Sequence, residues 1–254
     1  MPTDKRPPTS DDLTGWKPDV GPGLGDALVE LATSELEVEG RLPWSSNLTF
    51  LVTVGDGRLR AVYKPGQGER TLWDFPGGLY RREVAAYALS EALSWGVVPP
   101  TVAVEDGPFG PGSVQLFVDA DYEQHYFTLY ESGGFDSQLR AICAFDVVAN
   151  NADRKSGHVL TGDDRHLWGI DHGLCFHSEP KLRTVMWDYA GDDVPESCLA
   201  DLEGLALDGL PDEVACHLTR EERECLVARI RTLLHTRTYP VPEDDRHPYP
   251  WPLV

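Results

Sequence analysis

The sequence predicts an α+β protein of two lobes, a small antiparallel β-rich lobe followed by a mainly helical one. Three observations predict it. Up to residue 118, short alternating or apolar runs are separated by turn residues, with one helical stretch among them. From about Ser137 onward, apolar residues recur at helical spacing. At the start of the helical half, two acids fall in loops beside short apolar runs, where a cleft between lobes would place them. A chain of 254 residues with 41% hydrophobic content suits one large domain or two small lobes with a substantial core.

Taken in order, residues 1–22 are rich in Pro, Asp and Gly and read as a flexible arm. Residues 24–33 read as a short helix. Strands are expected at Glu35–Glu39, Asn47–Val54 and Arg58–Tyr63, the last two joined by a Gly55-Asp56-Gly57 hairpin turn. Pro65 ends the third strand directly after Lys64. A Gly-rich loop over 66–78 carries Trp73 and Phe75, and residues 79–95 show helical spacing stopped by Gly96. Strands near 101–105 and 113–118 complete a first lobe over 23–118. In the second lobe, 119–238, Leu139, Ile142, Cys143, Val147 and Ala149 mark one helix. Short strands follow at His158–Thr161 and His166–Ile170, with a turn at Gly162-Asp163-Asp164. Helices are expected near 197–209, 211–218 and 219–236, the last opened by a Thr219-Arg220-Glu221-Glu222 capping box. The tail, 239–254, is too proline-rich for a helix and is either disordered or a strap over the body. Its apolar ending favours docking.

The formal net charge is −20, from 42 acidic and 22 basic residues. Such a surface repels phosphate backbones and anionic headgroups, which excludes nucleic acid as a partner and disfavours a lipid in an anionic membrane. Five cysteines, none in a C-x-x-C pair, read as small buried residues of a reducing compartment. No apolar run reaches the roughly 18 residues that span a bilayer, and the N-terminus lacks a signal-peptide core. The expected location is the cytoplasm.

The residues that carry chemistry are few. Lys64 ends an apolar strand, where its ammonium could reach phosphate; the plain alternative is a solvent-facing lysine. Glu83 lies in the first turn of the 79–95 helix, either as a partner for Lys64 or as an acid favoured at a helix N-terminus. Asp153, after Asn150-Asn151 and before Arg154-Lys155, is placed to accept a proton from a hydroxyl, or merely to form an Asx-turn with them. Asp171 leaves an apolar strand two residues before Gly173, where an acid costs stability unless it is paired or metal-bound. His158, five residues after Asp153, stands where a second metal ligand is expected, although imidazole suits softer metals than magnesium. The histidines around Asp171 have no zinc-site spacing. An acid beside the attacking hydroxyl, and a second 18 residues on for the metal, is the pairing phosphoryl transfer uses.

At these residues the chain resembles the phosphatidylinositol 3-/4-kinase-like branch of the protein-kinase-like superfamily. The resemblance is nearest to type II phosphatidylinositol 4-kinases, more distant to the bacterial HipA kinases, and extends to an uncharacterised actinobacterial family. It rests on Ser45-Ser46-Asn47 before a strand, AVYKP at 61–65, REVAAY at 82–87, GSVQLFV at 112–118, NADR at 151–154 and IDHGLCF at 170–176. It implies a two-lobed protein-kinase-like fold. It further implies that Ser45, Ser46 and Asn47 cover the nucleotide phosphates, that Lys64 contacts phosphate and Glu83 orients it, and that Leu116, Phe117 and Val118 form the hinge beside adenine. Asp153 becomes the catalytic acid and Asp171 the principal magnesium ligand, with His158 at the second metal position. The implied cofactors are ATP and Mg2+, with Mn2+ as the alternative. Three features depart from the family: His158 replaces the usual asparagine, no glycine lies between Pro43 and Gly55, and the acidic surface argues against a membrane phosphoinositide.

The expected function is therefore an ATP- and magnesium-dependent phosphotransferase acting on a soluble acceptor, a metabolite or a protein. A nucleotide-binding pseudokinase, supported by His158, and an AMP-transferring enzyme on the same fold are the alternatives, with a metal hydrolase behind them. The small basic island of Lys181 and Arg183 after Asp171 could hold an anionic acceptor or pack as an ordinary loop. Neither the acceptor nor the oligomeric state can be read from the sequence.

Overall fold

The computed structural model of the protein describes residues 24–43, 45, 47–162, 164–242 and 247–253. The expected arm (1–22), Ser46 of the segment expected to cover phosphates and Asp163 of the expected turn lie outside the described residues.

Alternating apolar residues build the first lobe. Strands β1 (Leu36–Arg41), β2 (Phe50–Val54), β3 (Leu59–Pro65), β4 (Thr101–Val104) and β5 (Gly112–Leu116) form one antiparallel sheet in the order β1-β2-β3-β5-β4. The period of two puts Ala61 and Tyr63 on one face of β3, where they join Val52, Val54 and Val114 in a cluster with Leu31 of helix α1 (Leu24–Thr33). Lys64, one residue out of phase, is thereby turned to the opposite face. Gly112 sits where β5 crosses β3 closely, and a Cβ there would lie 2.5 Å from the Lys64 carbonyl oxygen. The strand runs two residues beyond the expected Tyr63: Pro65 pairs with Gly112 inside the sheet.

Helix α2 (Leu79–Ala92) is buried on nearly all sides, including Arg82 and Glu83. Its apolar residues Ala85, Ala86, Leu89 and the following Leu93 belong to the core of the helical lobe. It ends at Ala92, short of the expected residue 95, and Ser94 beyond it adopts φ +54. Glu83 is its fifth residue, past the first turn, so a favourable helix terminus does not account for that acid.

The second lobe holds α3 (Tyr126–Ser132), α4 (Asp136–Ala149), a hairpin of β6 (Val159–Thr161) and β7 (Leu167–Gly169), then α5 (Glu196–Asp208), α6 (Asp212–Ala215) and α7 (Arg220–Thr236). Helix α3 was not expected. It buries only Tyr126 and Leu129, too few apolar positions to show a period. The capping box at Thr219 is present: the Glu222 carboxylate accepts from the Thr219 amide at 2.8 Å, and the Thr219 hydroxyl accepts from the Glu222 amide at 3.3 Å. Cys143, Cys175 and Cys198 are buried as expected, whereas Cys216 is exposed. The described residues of the tail, 239–242 and 247–253, form a strap. Tyr239 is buried and donates to the Arg140 carbonyl at 2.7 Å, and the Pro248 carbonyl accepts from the Thr184 amide and the Trp187 indole. None of the described helices is long and apolar enough to cross a membrane.

Candidate active site

Three elements converge where the lobes meet: the end of β3, the second turn of α2 and the loops on either side of the β6–β7 hairpin. Lys64 forms an ion pair with Glu83 and a second with Asp171 Oδ1 at 2.9 Å. The second Glu83 oxygen accepts from the His172 backbone amide at 3.0 Å. Glu83 therefore ties β3 to the segment carrying Asp171, and the solvent-facing alternative for Lys64 does not hold. Burial works against the Lys64 ammonium, but Asp171 and Glu83 outweigh it and raise its pKa, so it stays charged. Asp171 is held well below the usual carboxylate range, chiefly by Lys64. Burial, reinforced by the negative charge of Asp171, pushes Glu83 upward against the pull of Lys64.

Asp171 itself has φ +61, a left-handed conformation that costs a non-glycine residue on the order of 1 kcal/mol. Its neighbours hold it there. Arg154, fully buried, grips the Asp146 carboxylate of α4 through two nitrogens at 2.8 and 2.9 Å. The same guanidinium donates to the carbonyls of His158 and Ile170, both at 3.0 Å, and lies 2.7 Å from His172 Nε2. Burial drives His172 well below its ordinary pKa, so the ring is neutral and Nε2 accepts from Arg154.

Asn150 and Asn151 do the local work expected of them. Asn150 ends α4 in the left-handed region (φ +55), and Asn151 Oδ1 accepts from the Asp153 amide at 3.0 Å in an Asx-turn. The Asp153 carboxylate pairs with Lys155 at 2.9 Å. Burial raises its pKa to about 6 against the pull of Lys155. His158 Nε2 lies 3.5 Å from Asp171 Oδ2, burial lowers that imidazole to about 4 so that it is neutral at neutral pH, and its Nδ1 accepts from the Lys155 amide at 3.4 Å.

Asp153, His158 and Asp171 each offer a ligand atom, all within 4.8 Å of one another. Two carboxylates and a neutral imidazole suit a divalent cation, and the imidazole extends the range towards manganese. The charges fit as well: among the described residues, the carboxylates of Glu83, Asp153 and Asp171 face two lysines, 64 and 155, at the shared ion pairs.

Lys64, Glu83, Asp153 and Asp171 border a cleft of about 120 Å³, lined also by Ser45, Asn47, Thr49, Glu69 and Leu72. A larger cavity of about 840 Å³ lies in the helical lobe, but it contains none of these acids. The chemistry therefore belongs to the smaller cleft. Ser45 bonds the Thr49 hydroxyl at 2.7 Å, and Asn47 Oδ1 is taken by the Arg70 amide at 2.9 Å. Leu116, Phe117 and Val118 lie at the end of β5, half-buried, and do not line the cleft; Phe117 packs beneath the Arg60 guanidinium, 4.7 Å away. Sequence reasoning gave no role to Asp146, Arg154, Lys155 or Glu69. The Glu69 carboxylate accepts from the amides of Gly78 and Tyr80, both at 2.8 Å, at the start of α2. An acid one residue past a Gly-x-Gly loop was the only available signal for it.

Residues 74–198 match the phosphatidylinositol 3- and 4-kinase family. Protein Rv2133c of Mycobacterium tuberculosis is 40% identical over 261 aligned positions, covering 87% of this chain and 93% of that protein. The chain belongs to the family of that protein, within the phosphatidylinositol 3-/4-kinase-like branch of the protein-kinase-like superfamily. Phosphatidylinositol 4-kinase gamma 2 of Arabidopsis thaliana is 30% identical over 140 positions, 42% of this chain and 25% of the plant protein. A solved structure of hydra Fam20 with sugar superposes with a TM-score of 0.57 at 12% identity, covering 84% of this chain and 87% of the other. That likeness supports the two-lobed protein-kinase-like fold. The matched family region holds Glu83, Asp153, His158 and Asp171, while Lys64 lies upstream of it.

Proposed function

We propose that the protein is an ATP- and divalent-metal-dependent phosphotransferase acting on a soluble acceptor, a metabolite or a protein side chain. The observation that carries this reading is Lys64 held between Glu83 and Asp171, beside the Asp153–His158–Asp171 cluster. Lys64 binds nucleotide phosphate as a point charge, and Glu83 fixes its ammonium. Ser45 and Asn47, on the cleft wall, cover the phosphates. The base would then lie beyond the 120 Å³ cleft, beside Leu116, Phe117 and Val118, which line no part of it.

Asp153 accepts the proton of the acceptor hydroxyl as its oxygen bonds to the γ-phosphorus and the bond to the ADP oxygen breaks. Lys155, paired with Asp153, offsets charge on the incoming phosphoryl oxygens. Asp171 and His158 would hold the metal, with Asp153 close enough to share it. A bound divalent cation supplies neutralisation of the phosphate charge. The chain's charge of −20 weighs against an acceptor embedded in an anionic membrane.

The test is calorimetric titration with ATP, with and without magnesium or manganese, on the wild type and Asp171→Asn. Metal-dependent binding that the variant loses is the expected result, and the mass of any product then separates phosphoryl from adenylyl transfer. An absence of nucleotide binding in either metal would sink the proposal.

A further inference from the structure

The cavity of about 840 Å³ in the helical lobe shares no lining residue with the cleft. Its size falls in the range of small-molecule sites. Its charge runs against that of the molecule: the net charge is −20, yet no aspartate or glutamate is among the described residues lining it. Lys181, Arg183, Arg229 and His247 are.

Among the described residues, the nearest carboxylates only partly offset them. Lys181 lies 3.4 Å from the exposed Glu179 and shares Asp74 with Arg183, at 3.5 and 4.0 Å. Arg229 makes no ion pair among the described residues. It donates only to the backbone carbonyls of Val148 and His177, at 2.8 and 3.2 Å, and its Nη2 has no partner. A mostly buried guanidinium without a counter-charge is costly in any protein. The rest of the wall is largely apolar, with Leu182, Trp187 and the strap residue Tyr239.

From this arrangement we infer that the helical lobe carries a second ligand site, for a small organic anion: one phosphate or carboxylate head on an apolar body. The head takes Lys181 and Arg183, with Arg229 adding charge from beneath, and the body covers the Leu182–Trp187 wall. The site does not depend on the nucleotide reading of the cleft. It is nonetheless joined to the loop carrying Asp153. Lys181 donates its amide to Asn150 Oδ1, Arg183 donates to the Asn151 carbonyl, and Arg154 donates to the Arg183 carbonyl, at 2.9, 2.9 and 3.0 Å.

The test is calorimetry on the full chain with hexyl phosphate, hexanoate, hexanol and inorganic phosphate. One or both of the amphiphilic anions should bind at a single saturable site, at least tenfold tighter than hexanol or inorganic phosphate. Which head binds tighter identifies the ligand class. The double variant Lys181→Glu/Arg183→Glu should weaken binding at least tenfold. Ala228→Trp, which fills the cavity from the α7 wall without altering charge, should abolish it even if the charge reversal disturbs folding. Asp171→Asn should leave probe affinity unchanged. Equal binding of hexanol, no binding of either anion, unchanged affinity in Ala228→Trp, or loss in Asp171→Asn would each overturn the assignment, the last by placing the probe in the cleft.

Discussion

Arg82 and Glu222, 140 positions apart in the chain, form a buried ion pair that joins α2 to the first turn of α7. The neighbour of Arg82 on the same helix is Glu83, which holds Lys64. Adjacent residues of α2 thus point into different lobes, one into the cleft and one into the helical body. The Glu222 carboxylate also closes the Thr219 capping box with its other oxygen. Removing one partner of such a pair leaves the other charge buried, at a cost of about 3–5 kcal/mol. Glu222→Gln should therefore lower unfolding free energy by several kcal/mol in urea titrations. The double change Arg82→Met/Glu222→Leu should recover much of that loss.

The same pair sets an acid limit on stability. Burial pushes Glu222 upward, but the Thr219 amide and hydroxyl and the Arg82 charge outweigh it, so the folded pKa is depressed. An unfolded glutamate titrates near about 4.3. The contribution is complete above that value and is lost as pH falls through the lower folded value. Acid unfolding of Glu222→Gln should accordingly show less dependence on pH below about 4.3 than that of the wild type. Equal slopes would remove Glu222 from the acid response.

His158 makes the choice of metal testable. An imidazole among two carboxylates favours manganese over magnesium, because nitrogen is a poor ligand for the harder ion. Nucleotide binding or turnover should therefore be stronger with manganese. His158→Asn should shift preference towards magnesium while retaining a cluster of three ligand groups. A wild-type preference for magnesium, unchanged by the substitution, would remove His158 from the metal site.

Asp153 should titrate within reach of neutrality. Burial raises it to about 6 in the metal-free protein, and Lys155 holds it from rising further. Carbon NMR of the carboxyl should place its titration near that value, and Lys155→Met should move it up. Magnesium should move it down if Asp153 shares the cation with Asp171. Because the proton-accepting form is the ionised one, turnover should fall as pH drops through the pKa that Asp153 has in the metal-loaded protein.

How much of this was legible depends on how local the cause was. Lys64 at a strand end, Asp171 after an apolar strand and the Thr219 box each follow from a few adjacent residues, and the sequence placed them correctly in local structure. The two-lobed order of elements followed from the switch between periods of two and 3.6. Arg82 and Glu222 gave no such signal, since their relationship exists only once α2 lies against α7. Helix α3 is too short to show a period. The segment 116–118 borders no part of the cleft cavity, although its strand was anticipated. The apolar ending of the tail suggested docking, but the bonds that hold its last residues run to backbone carbonyls, such as that of Leu253, which accepts from the Ser156 amide at 2.8 Å. No side-chain pattern announces such a bond.

Arg154 is the largest of these omissions, and the sequence offered it only as the residue after Asp153. Its guanidinium donates to the carbonyl of one candidate metal ligand, His158, and to that of Ile170, which precedes another. The distance between the two ligands is therefore set through one side chain, itself held by Asp146. Groups that orient metal ligands from outside typically matter by roughly 10–100-fold in metal affinity. Arg154→Lys keeps the charge but loses the fork that reaches both carbonyls. It should weaken manganese binding by about that factor, measured by calorimetry at a temperature where circular dichroism shows the variant folded. A second variant, His172→Gln, keeps an acceptor near Arg154 and should lose much less. If folded Arg154→Lys binds manganese as the wild type does, Arg154 braces the fold alone, and the spacing of His158 and Asp171 must come from the β6–β7 hairpin between them.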